Sequence, residues 1–175
     1  MMRNSRNSSG HIWIEMYYST DYHSPIGKML IASDGEAICG VWFYGQKHFP
    51  STDFIVNDDL AIFKKVLDWF DDYFNGKNPK VNFRLKPHGS QFRQRVWKIL
   101  SEIPYGETRT YGEIASMISP TMSAQAVGGA VGHNPISIIV PCHRVLGKDG
   151  KLTGYAGGID RKISLLELEG IDFKN

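Results

Sequence analysis

The sequence predicts a mixed α+β protein, with a small antiparallel sheet and one helix in its first half and a mainly helical second half. Two strand-like segments, residues 28–33 and 37–43, flank Asp34-Gly35, a dipeptide typical of a tight β-hairpin. Over residues 60–74, apolar side chains recur at helical spacing with charged residues between them. Farther along, short apolar-periodic segments bounded by Ser, Gly and Pro replace the alternating pattern.

The first half opens with a polar stretch and continues with strand-like patterns. Residues 1–10 are rich in Ser, Asn and Arg and lack the apolar core of a secretion signal, so we expect a disordered tail there. Residues 11–18 alternate, and the apolar side chains that share one strand face are Ile12, Ile14, Met16 and Tyr18. Val81, Phe83 and Leu85 alternate in the same way and form the last predicted strand of this half. An N-terminal domain of residues 11–87 is therefore expected.

A helix is predicted between these strands. Its apolar positions are Leu60, Phe63, Leu67, Phe70 and Phe74. Asn57 or Asp58 can cap its start, and Gly76 with Pro79 ends it. We interpret the aromatic side chains of this half as core and find no catalytic constellation among them; they include Trp13, Trp42, Phe63 and Trp69.

The second half, residues 88–175, is predicted to be mainly helical. Ser90 can cap a first helix, and residues 110–118 and 123–132 form two short helices around a tight turn. Two short helices joined in this way are the helix-turn-helix pattern, which is a weak signal when it stands alone. A last helix is predicted to begin at Asp160.

The second helix of that pair has an unusual composition. It contains Gly128, Gly129 and Gly132, each of which costs about 1 kcal/mol relative to alanine in a helix, and it carries no charged residue. Small residues permit close packing against another helix. They also permit close approach to DNA, whose minor groove is only about 6 Å wide. The residues alone do not favour either close helix packing or close approach to DNA.

Composition excludes several classes of protein. Twenty basic and eighteen acidic side chains give a net charge of +2, which is too small to predict nucleic-acid binding by itself. No apolar run approaches the roughly 18 residues of a membrane span. The chain has two cysteines, Cys39 and Cys142, which we interpret as free thiols in a reducing compartment. A cytoplasmic protein with no membrane partner is therefore expected. We also expect a monomer, which associates with the nucleoid if it acts on DNA.

The strongest chemical signal is the segment from Ile138 to Val145, in which Cys142 stands directly beside His143 after an apolar run and a proline. The thiolate is the reactive form of cysteine, and a neighbouring base or cation favours it. Adjacent side chains on an extended segment point in opposite directions. Direct contact between Cys142 and His143 is therefore not expected, and a bridging water or a turn after Pro141 is needed to connect them.

The sequence from Pro141 to Arg144, Pro-Cys-His-Arg, resembles the acceptor motif of the O6-alkylguanine-DNA alkyltransferases, the methylated-DNA–protein-cysteine methyltransferases. Further blocks resemble this family in its own order and spacing, over roughly residues 90 to 170: they are residues 103–108, 110–115, 126–131, 134–135 and 154–158. Residues 1–85 match only loosely. The resemblance implies a ribonuclease H-like N-terminal domain and a winged helix-turn-helix-like C-terminal domain that binds DNA and transfers the alkyl group.

The resemblance also implies an activity. Proteins of this family flip O6-alkylguanine out of double-stranded DNA and transfer the alkyl group to a cysteine, here Cys142. Whether O4-alkylthymine is repaired as well stays open. The thioether product offers no easy exit, so the reaction is single-turnover and needs no cofactor. The expected partner is double-stranded DNA that contains O6-alkylguanine.

Roles for other residues follow from the same resemblance. His143 is expected to act as the base through a water, Glu169 to orient it, Asn134 to form the hinge, and Tyr111 to donate a hydrogen bond to the purine. The expected substrate- and DNA-binding residues are Gln125, Ala126, Gly128, Val145, Tyr155, Ala156 and Arg144.

From the residues alone, these roles have alternatives. His143 can be a structural hydrogen-bond partner, Asn134 before a proline is an ordinary turn signal, and Tyr111 can be a tyrosine packed at a helix start. A structural ion pair is as good an interpretation of Arg144 as a phosphate contact. Glu169 falls in the last turn of a helix, where a carboxylate opposes the helix dipole by about 0.3–1 kcal/mol and needs a compensating partner. The alternative for Glu169 is an exposed side chain at a frayed helix end.

The chain departs from the family pattern at three positions. Gln125 stands where the best-known members have an arginine that fills the space left by the flipped base, so we expect weaker DNA affinity. Ala156 replaces a serine and Ser137 a proline of some members. The zinc site of some members is not evident, and a metal-free protein is predicted.

Three other classes of protein fit the sequence less well than an alkyltransferase does. A non-catalytic lesion sensor would lack the cysteine, whereas Cys142 is present. A helix-turn-helix regulator would need base-reading side chains on its second helix, and Gly, Ala and Val provide few. A cysteine hydrolase built on Cys142, His143 and Glu169 would turn over, whereas an alkyltransferase is consumed.

Overall fold

A computed structural model describes residues 3–6 and 12–175, with side chains from residue 16 onward. Strand β1 (Arg3–Arg6) pairs antiparallel with β2 (Ile12–Glu15) in a separate two-stranded sheet. The disordered tail predicted for residues 1–10 is therefore wrong for Arg3–Arg6, and the rest of that prediction lies outside the described residues. The single strand predicted over residues 11–18 is also wrong, because β2 ends at Glu15 and the next strand starts at Tyr18.

The main sheet has five strands in the order β6-β3-β4-β5-β7, with β3, β4 and β5 antiparallel and the two short edge strands parallel to their neighbours. The strands are β3 (Tyr18–Ser24), β4 (Gly27–Ser33), β5 (Ala37–Phe43), β6 (Ile55–Val56) and β7 (Arg84–Leu85). The predicted hairpin at Asp34-Gly35 is confirmed. The Asp34 carboxylate accepts hydrogen bonds from the main-chain N–H of Glu36 and Ala37, and Gly35 has a φ of 104°.

Helix α1 (Ala61–Phe74) confirms the predicted helix, with a buried face of Ile62, Phe63, Val66, Trp69, Phe70 and Tyr73. Its capping was predicted wrongly, since Leu60 occupies the cap position without a side-chain bond. Asp58 instead accepts a hydrogen bond from Thr20 at 2.7 Å. The long alternating strand predicted after the helix is also wrong, because Val81 is exposed and β7 contains only Arg84–Leu85.

The second half confirms the predicted helices. They are α2 (Gln91–Ser101), α3 (Tyr111–Ile118), α4 (Ala124–Gly132) and α5 (Ile159–Leu168). Ser90 and Ser123 cap α2 and α4 through their hydroxyls, and Thr110 forms a capping box with Glu113. Strands β8 (Arg109–Thr110) and β9 (Val145–Leu146) pair in parallel and bring the start of α3 beside the segment that follows Cys142.

One hydrophobic core runs through both halves, from Met29 and Phe70 to Val127 and Leu165. Main-chain bonds also cross between the halves, where Val41 of β5 accepts from Ser137 at 3.0 Å and donates to the Pro135 carbonyl at 2.9 Å. The second half of the chain is thus hydrogen-bonded to β5, beyond the two residues of that strand that pair with β7. In the described part of the chain, no helix is long and apolar enough to cross a membrane.

Candidate active site

Cys142 begins a single 3₁₀ turn, residues 142–144, which directly precedes β9. The segment leading to this turn is folded around Asn134, whose amide nitrogen donates to the Val140 carbonyl at 2.8 Å and whose oxygen accepts from the Ile136 N–H at 3.0 Å. Ile138 in this segment has a φ of 70°, a left-handed conformation that is strained for a β-branched residue. Buried Asn134 therefore holds the nucleophile's segment in place.

The Cys142 side chain is 6% exposed and borders a cavity of about 350 Å³. We call this the Cys142 cavity; it is lined by Lys47, His48, Tyr111, Gly128, Gly129, Val131, Gly132, His133, Cys142, Gly154, Tyr155 and Ala156. Burial raises the pKa of the thiol, while the Asn134 amide, the Lys162 ammonium and the main-chain N–H groups of Cys142 and His143 oppose that rise. At rest the sulfur is a thiol, and a base is needed to activate it.

His143 is fully buried, and its Nε2 lies 2.5 Å from Glu169 Oε2. Because the carboxylate can only accept, Nε2 carries the proton and Nδ1 is left with its lone pair. Nδ1 is buried and has no hydrogen-bond partner among the described residues. Burial lowers the pKa of His143 although Glu169 acts to raise it, so the ring is neutral and Nδ1 is available as a base.

No hydrogen bond of the described residues joins the Cys142 sulfur to the His143 ring, which agrees with the sequence prediction. A 3₁₀ turn does follow Pro141, but it does not bring the two side chains into hydrogen-bond contact. Any proton transfer between them therefore needs an intermediary such as a water.

Glu169 caps the C-terminal end of α5 and is 7% exposed, so the alternative of an exposed side chain at a frayed end is wrong. Oε2 accepts from His143 and from the Tyr73 hydroxyl at 2.7 Å. Oε1 accepts from Arg144 Nε at 2.7 Å and from the Gly106 N–H at 3.1 Å. Burial alone raises its pKa, but the bonds from His143, Arg144 and Tyr73 lower it to about 2, and the group is ionised.

Arg144 corrects the sequence analysis, because the residue predicted among the DNA-binding groups is 9% exposed. Besides its bond to Glu169, its Nη1 donates to the Ile103 carbonyl at 2.7 Å, and the guanidinium lies 5.7 Å from the centre of the Tyr105 ring. The phosphate contact is therefore wrong, and the alternative of a structural ion pair is confirmed. An arginine in a basic motif does not reveal whether it faces solvent or the interior.

Tyr111, the first residue of α3, lines the Cys142 cavity and shares a 2.9 Å hydrogen bond with the Thr153 hydroxyl. Burial, with a smaller effect of Cys142, raises the pKa of Tyr111, while the Thr153 bond opposes the rise. The phenol therefore keeps its proton and is a hydrogen-bond donor at the cavity wall.

The glycines of α4 do not serve close helix packing throughout. A Cβ added to Gly129 or Gly132 meets nothing within 4 Å, and one added to Gly128 meets the Tyr111 ring at an ordinary 3.8 Å. The packing interpretation is therefore wrong for Gly129 and Gly132. Gln125 and Ala126 are exposed, so α4 presents a smooth, uncharged surface beside the cavity.

Of the remaining predicted binding residues, Tyr155 and Ala156 line the Cys142 cavity and Val145 does not. Val145 is fully buried in β9, and its carbonyl accepts from Lys162 at 2.7 Å. The Ala156 carbonyl accepts from the Lys47 N–H at 3.1 Å. It stays a prediction that main-chain groups of Val145 and Ala156 form hydrogen bonds with the edge of the guanine base.

Family models decide the relationship. The ribonuclease-like domain of 6-O-methylguanine DNA methyltransferase matches residues 16–87, and the DNA binding domain of the same protein matches residues 91–171. The chain belongs to this family. The resemblance read from the motifs, and with it the α+β fold class, is thereby confirmed.

Similar proteins come from bacteria and archaea. The chain is 49% identical over 157 residues to the methylated-DNA–protein-cysteine methyltransferase of Haemophilus influenzae, covering 89% of this chain and 88% of that protein. It is 47% identical over 156 residues to that of Methanosarcina acetivorans, covering 89% and 99%. The crystal structure of Mycobacterium tuberculosis OGT in complex with DNA matches with a TM-score of 0.83 at 47% identity, covering 87% of this chain and 93% of that one.

Lys162 was missed by the sequence analysis of this alkyltransferase-family chain. It is fully buried on α5, and its ammonium donates to the carbonyls of Val145 and Gly154 at 2.7 and 3.3 Å and to the Thr153 hydroxyl at 3.1 Å. Burial lowers the pKa of Lys162 to about 8, although the charge of a Cys142 thiolate acts to raise it. A signal was available, since Lys162, Leu165 and Glu169 share one helix face at spacings of three and four.

Tyr73 was also missed. It lies in α1 and reaches Glu169 across 96 positions of sequence. In the pattern of α1 it is one more aromatic residue on the buried face, and no local signal separates it from Phe70 or Trp69. The expectation that the first half contributes only core aromatics is therefore wrong at Tyr73.

In the part of the chain that the structure describes, no group of three or more His, Cys, Asp or Glu side chains could hold a metal ion. No disulfide joins Cys39 and Cys142, and Cys39 lies in β5, away from the Cys142 cavity. The metal-free state stays a prediction.

Proposed function

We propose that this protein repairs O6-alkylguanine in double-stranded DNA by transferring the alkyl group irreversibly to Cys142. The observation that carries the proposal is the arrangement of Cys142 at a cavity, with the neighbouring His143 held by Glu169 at 2.5 Å and its second ring nitrogen left as an acceptor. We call Cys142, His143 and Glu169 the relay. The family to which the protein belongs indicates the reaction, because its relatives are methylated-DNA–protein-cysteine methyltransferases.

DNA is the partner that the surface around the cavity fits. The M. tuberculosis relative has been crystallised with DNA. In this chain, Gln125 and Ala126 are exposed on α4, and Gly128 lines the cavity. A target atom inside a duplex is reached by extruding its base, and small side chains let α4 approach the groove from which the base leaves. Because its proposed substrate is DNA, we infer that the protein acts in the compartment of the cell that holds DNA.

The proton movements follow from the ring nitrogens of His143. Nδ1 takes the thiol proton through one water, since no direct bond to Cys142 exists, and Glu169 stabilises the imidazolium through Nε2. The thiolate then attacks the alkyl carbon in line with the carbon–oxygen bond. The carbon–sulfur bond forms as the carbon–oxygen bond breaks.

The departing guanine must receive the proton that the Cys142 thiol has lost, and Tyr111 is the donor at the cavity wall. Tyr111 regains its proton from the His143 imidazolium through solvent, so the net reaction moves one proton from Cys142 to guanine. Guanine that is neutral as it leaves is a better leaving group than its anion. The products are unmodified guanine and a cysteine thioether. The thioether is not reversed by another thiol, so each protein molecule acts once.

The test is a mass measurement after incubation with duplex DNA that contains O6-methylguanine. We expect the intact protein to gain the mass of one methyl group, mapped to Cys142, with one equivalent of DNA repaired per protein. Cys142→Ala is expected to bind the same DNA without gaining mass. A protein that repairs many equivalents of DNA, or that gains no mass while binding the lesion, would contradict the proposal in favour of a hydrolase or a lesion sensor.

A further inference from the structure

Tyr73 connects the first half of the chain to the relay. Its hydroxyl lies 2.7 Å from Glu169 Oε2, the same oxygen that bonds His143 Nε2, and 3.5 Å from Nε2 itself. The side chain is 1% exposed. The contact is therefore a hydrogen bond in the interior, without competition from bulk water.

The direction of this bond is set by chemistry. Burial, together with the negative charge of Glu169, keeps the pKa of Tyr73 far above its ordinary value. The phenol therefore retains its proton and donates a hydrogen bond to the carboxylate. The ring is fixed by its neighbours: it stacks on Trp69 at 5.3 Å and 6° and meets Tyr105 edge-on at 6.2 Å and 79°. The hydroxyl is thus held at the carboxylate.

We propose that Tyr73 is a positioning residue of the relay, through which the ribonuclease-like half of the chain sets how strongly Glu169 holds the proton on His143. An oxygen that accepts from two donors is a weaker acceptor for each of them. Removing the Tyr73 hydroxyl leaves His143 as the one side-chain donor to Oε2 and strengthens the interaction between Glu169 and a protonated His143.

The functional consequence concerns the acid side of the pH profile and rests on the proposed function. His143 must be neutral to take the thiol proton. The charged and titratable groups that face it are Glu169, Arg144, Lys162, Cys142 and Tyr73. Since burial disfavours both a thiolate at Cys142 and an imidazolium at His143, the resting pair is uncharged, and the acid limb reports the protonation of His143.

The experiment compares the wild type, Tyr73→Phe and Tyr22→Phe. Tyr22 of β3 is a matched control, because its hydroxyl also donates to a carboxylate, that of Asp71 at 2.8 Å. Its ring stacks on Phe70 of α1, the helix that carries Tyr73, but Tyr22 does not touch the relay. Two rates are measured against pH: single-turnover methyl transfer, and alkylation of Cys142 by iodoacetamide without DNA, mapped by peptide mass. Thermal unfolding of all three proteins is followed in parallel.

We expect the acid limb of both rates to move to higher pH in Tyr73→Phe, by about half a unit to one unit, and to stay in place in Tyr22→Phe. A variant that is merely less stable would lose amplitude without moving the limb. Should Tyr73→Phe fail to fold, 3-fluorotyrosine at position 73 keeps the ring and provides a more acidic donor, and the limb is then expected to move to lower pH.

The outcomes separate the two proposals. A wild type that gains no methyl group contradicts the proposed function, while the iodoacetamide profile still tests Tyr73. A wild type that is methylated, with acid limbs that coincide in the wild type and the Tyr73 variant, contradicts the role of Tyr73 and leaves the function standing.

Discussion

Arg144 Nε donates to Glu169 Oε1 at 2.7 Å, so the guanidinium neutralises the carboxylate that is hydrogen-bonded to His143. A buried carboxylate without this partner would draw His143 toward its charged form. Burial, with a smaller contribution from the Arg144 charge, lowers the pKa of His143, so the imidazole stays neutral and Nδ1 keeps its lone pair. The arginine of the Pro-Cys-His-Arg motif is thus bonded to Glu169 in the interior, and we expect it to act on the reaction through that carboxylate.

Replacing Glu169 by glutamine should destabilise the protein in a pH-dependent way. Its folded pKa, about 2, lies below the ordinary 4.5, so its contribution is fully present above pH 4.5 and is lost as the pH falls toward 2. Glu169→Gln is expected to lower the free energy of unfolding by about 3 kcal/mol at pH 7, and by much less at pH 3. Urea unfolding at the two pH values measures this.

Glu167→Gln is the control for that experiment, because Glu167 lies on the same helix and is exposed. It is expected to change stability by less than about 0.5 kcal/mol at either pH. An equal loss in the two variants, or a loss at Glu169 that does not depend on pH, would refute the assignment of the low pKa to the buried cluster.

Replacing Lys162 by methionine tests the buried ammonium. The charge favours the Cys142 thiolate, and its bonds fix Thr153, which in turn bonds Tyr111. Lys162→Met is expected to slow single-turnover methyl transfer by about tenfold or more, as expected for an electrostatic contribution of one to two kcal/mol. Lys64→Met, at an exposed position of α1, should leave the rate unchanged.

Lys162 also makes the stability of the folded protein depend on pH. The folded pKa of Lys162 is lowered to about 8 from 10.5, so the folded state binds fewer protons than the unfolded state between these values, and stability rises with pH across that window. Lys162→Met should abolish this rise in denaturant unfolding. A rise of equal size in both proteins would mean that Lys162 does not titrate there.

Replacing Tyr111 by phenylalanine should separate chemistry from binding. In the proposed reaction the hydroxyl assists the departing purine, and the variant retains the ring beside Gly128. Tyr111→Phe is expected to reduce the single-turnover rate by about 10- to 100-fold. Binding of duplex DNA that contains O6-methylguanine, measured by fluorescence anisotropy with Cys142→Ala in the background, should stay within about twofold. Loss of binding with an unchanged rate at saturating DNA would contradict this role.

Replacing Gln125 by arginine should strengthen DNA binding. Gln125 is exposed near the start of α4 and carries no charge, whereas an arginine there adds one cationic contact to the nucleic acid. The Kd of Gln125→Arg for duplex DNA at fixed salt is expected to fall several-fold, and the dependence of log K on log salt to steepen by about one ion. Gln125→Ala is the matched variant without charge. Unchanged or weaker binding by the arginine variant would refute the prediction.

Local patterns predicted much of the fold. Ser90, Thr110 and Ser123 cap their helices because a hydroxyl at that position bonds an N–H two or three residues away, which does not depend on the rest of the chain. The Asp34-Gly35 hairpin formed for the same reason. The cap of α1 was predicted wrongly because Asp58 found a partner in Thr20 of β3, which is close only in the folded protein.

The sequence by itself determined that Cys142 stands beside His143 and that Glu169 lies at a helix end, because these depend on adjacency and on helical spacing. The tertiary structure alone decided which side chains surround that carboxylate. Tyr73 and Arg144 reach Glu169 across 96 and 25 positions, from elements that the sequence places on no common surface. The physical reason is that a buried charge must be matched by donors from whatever segments the fold brings within hydrogen-bond distance.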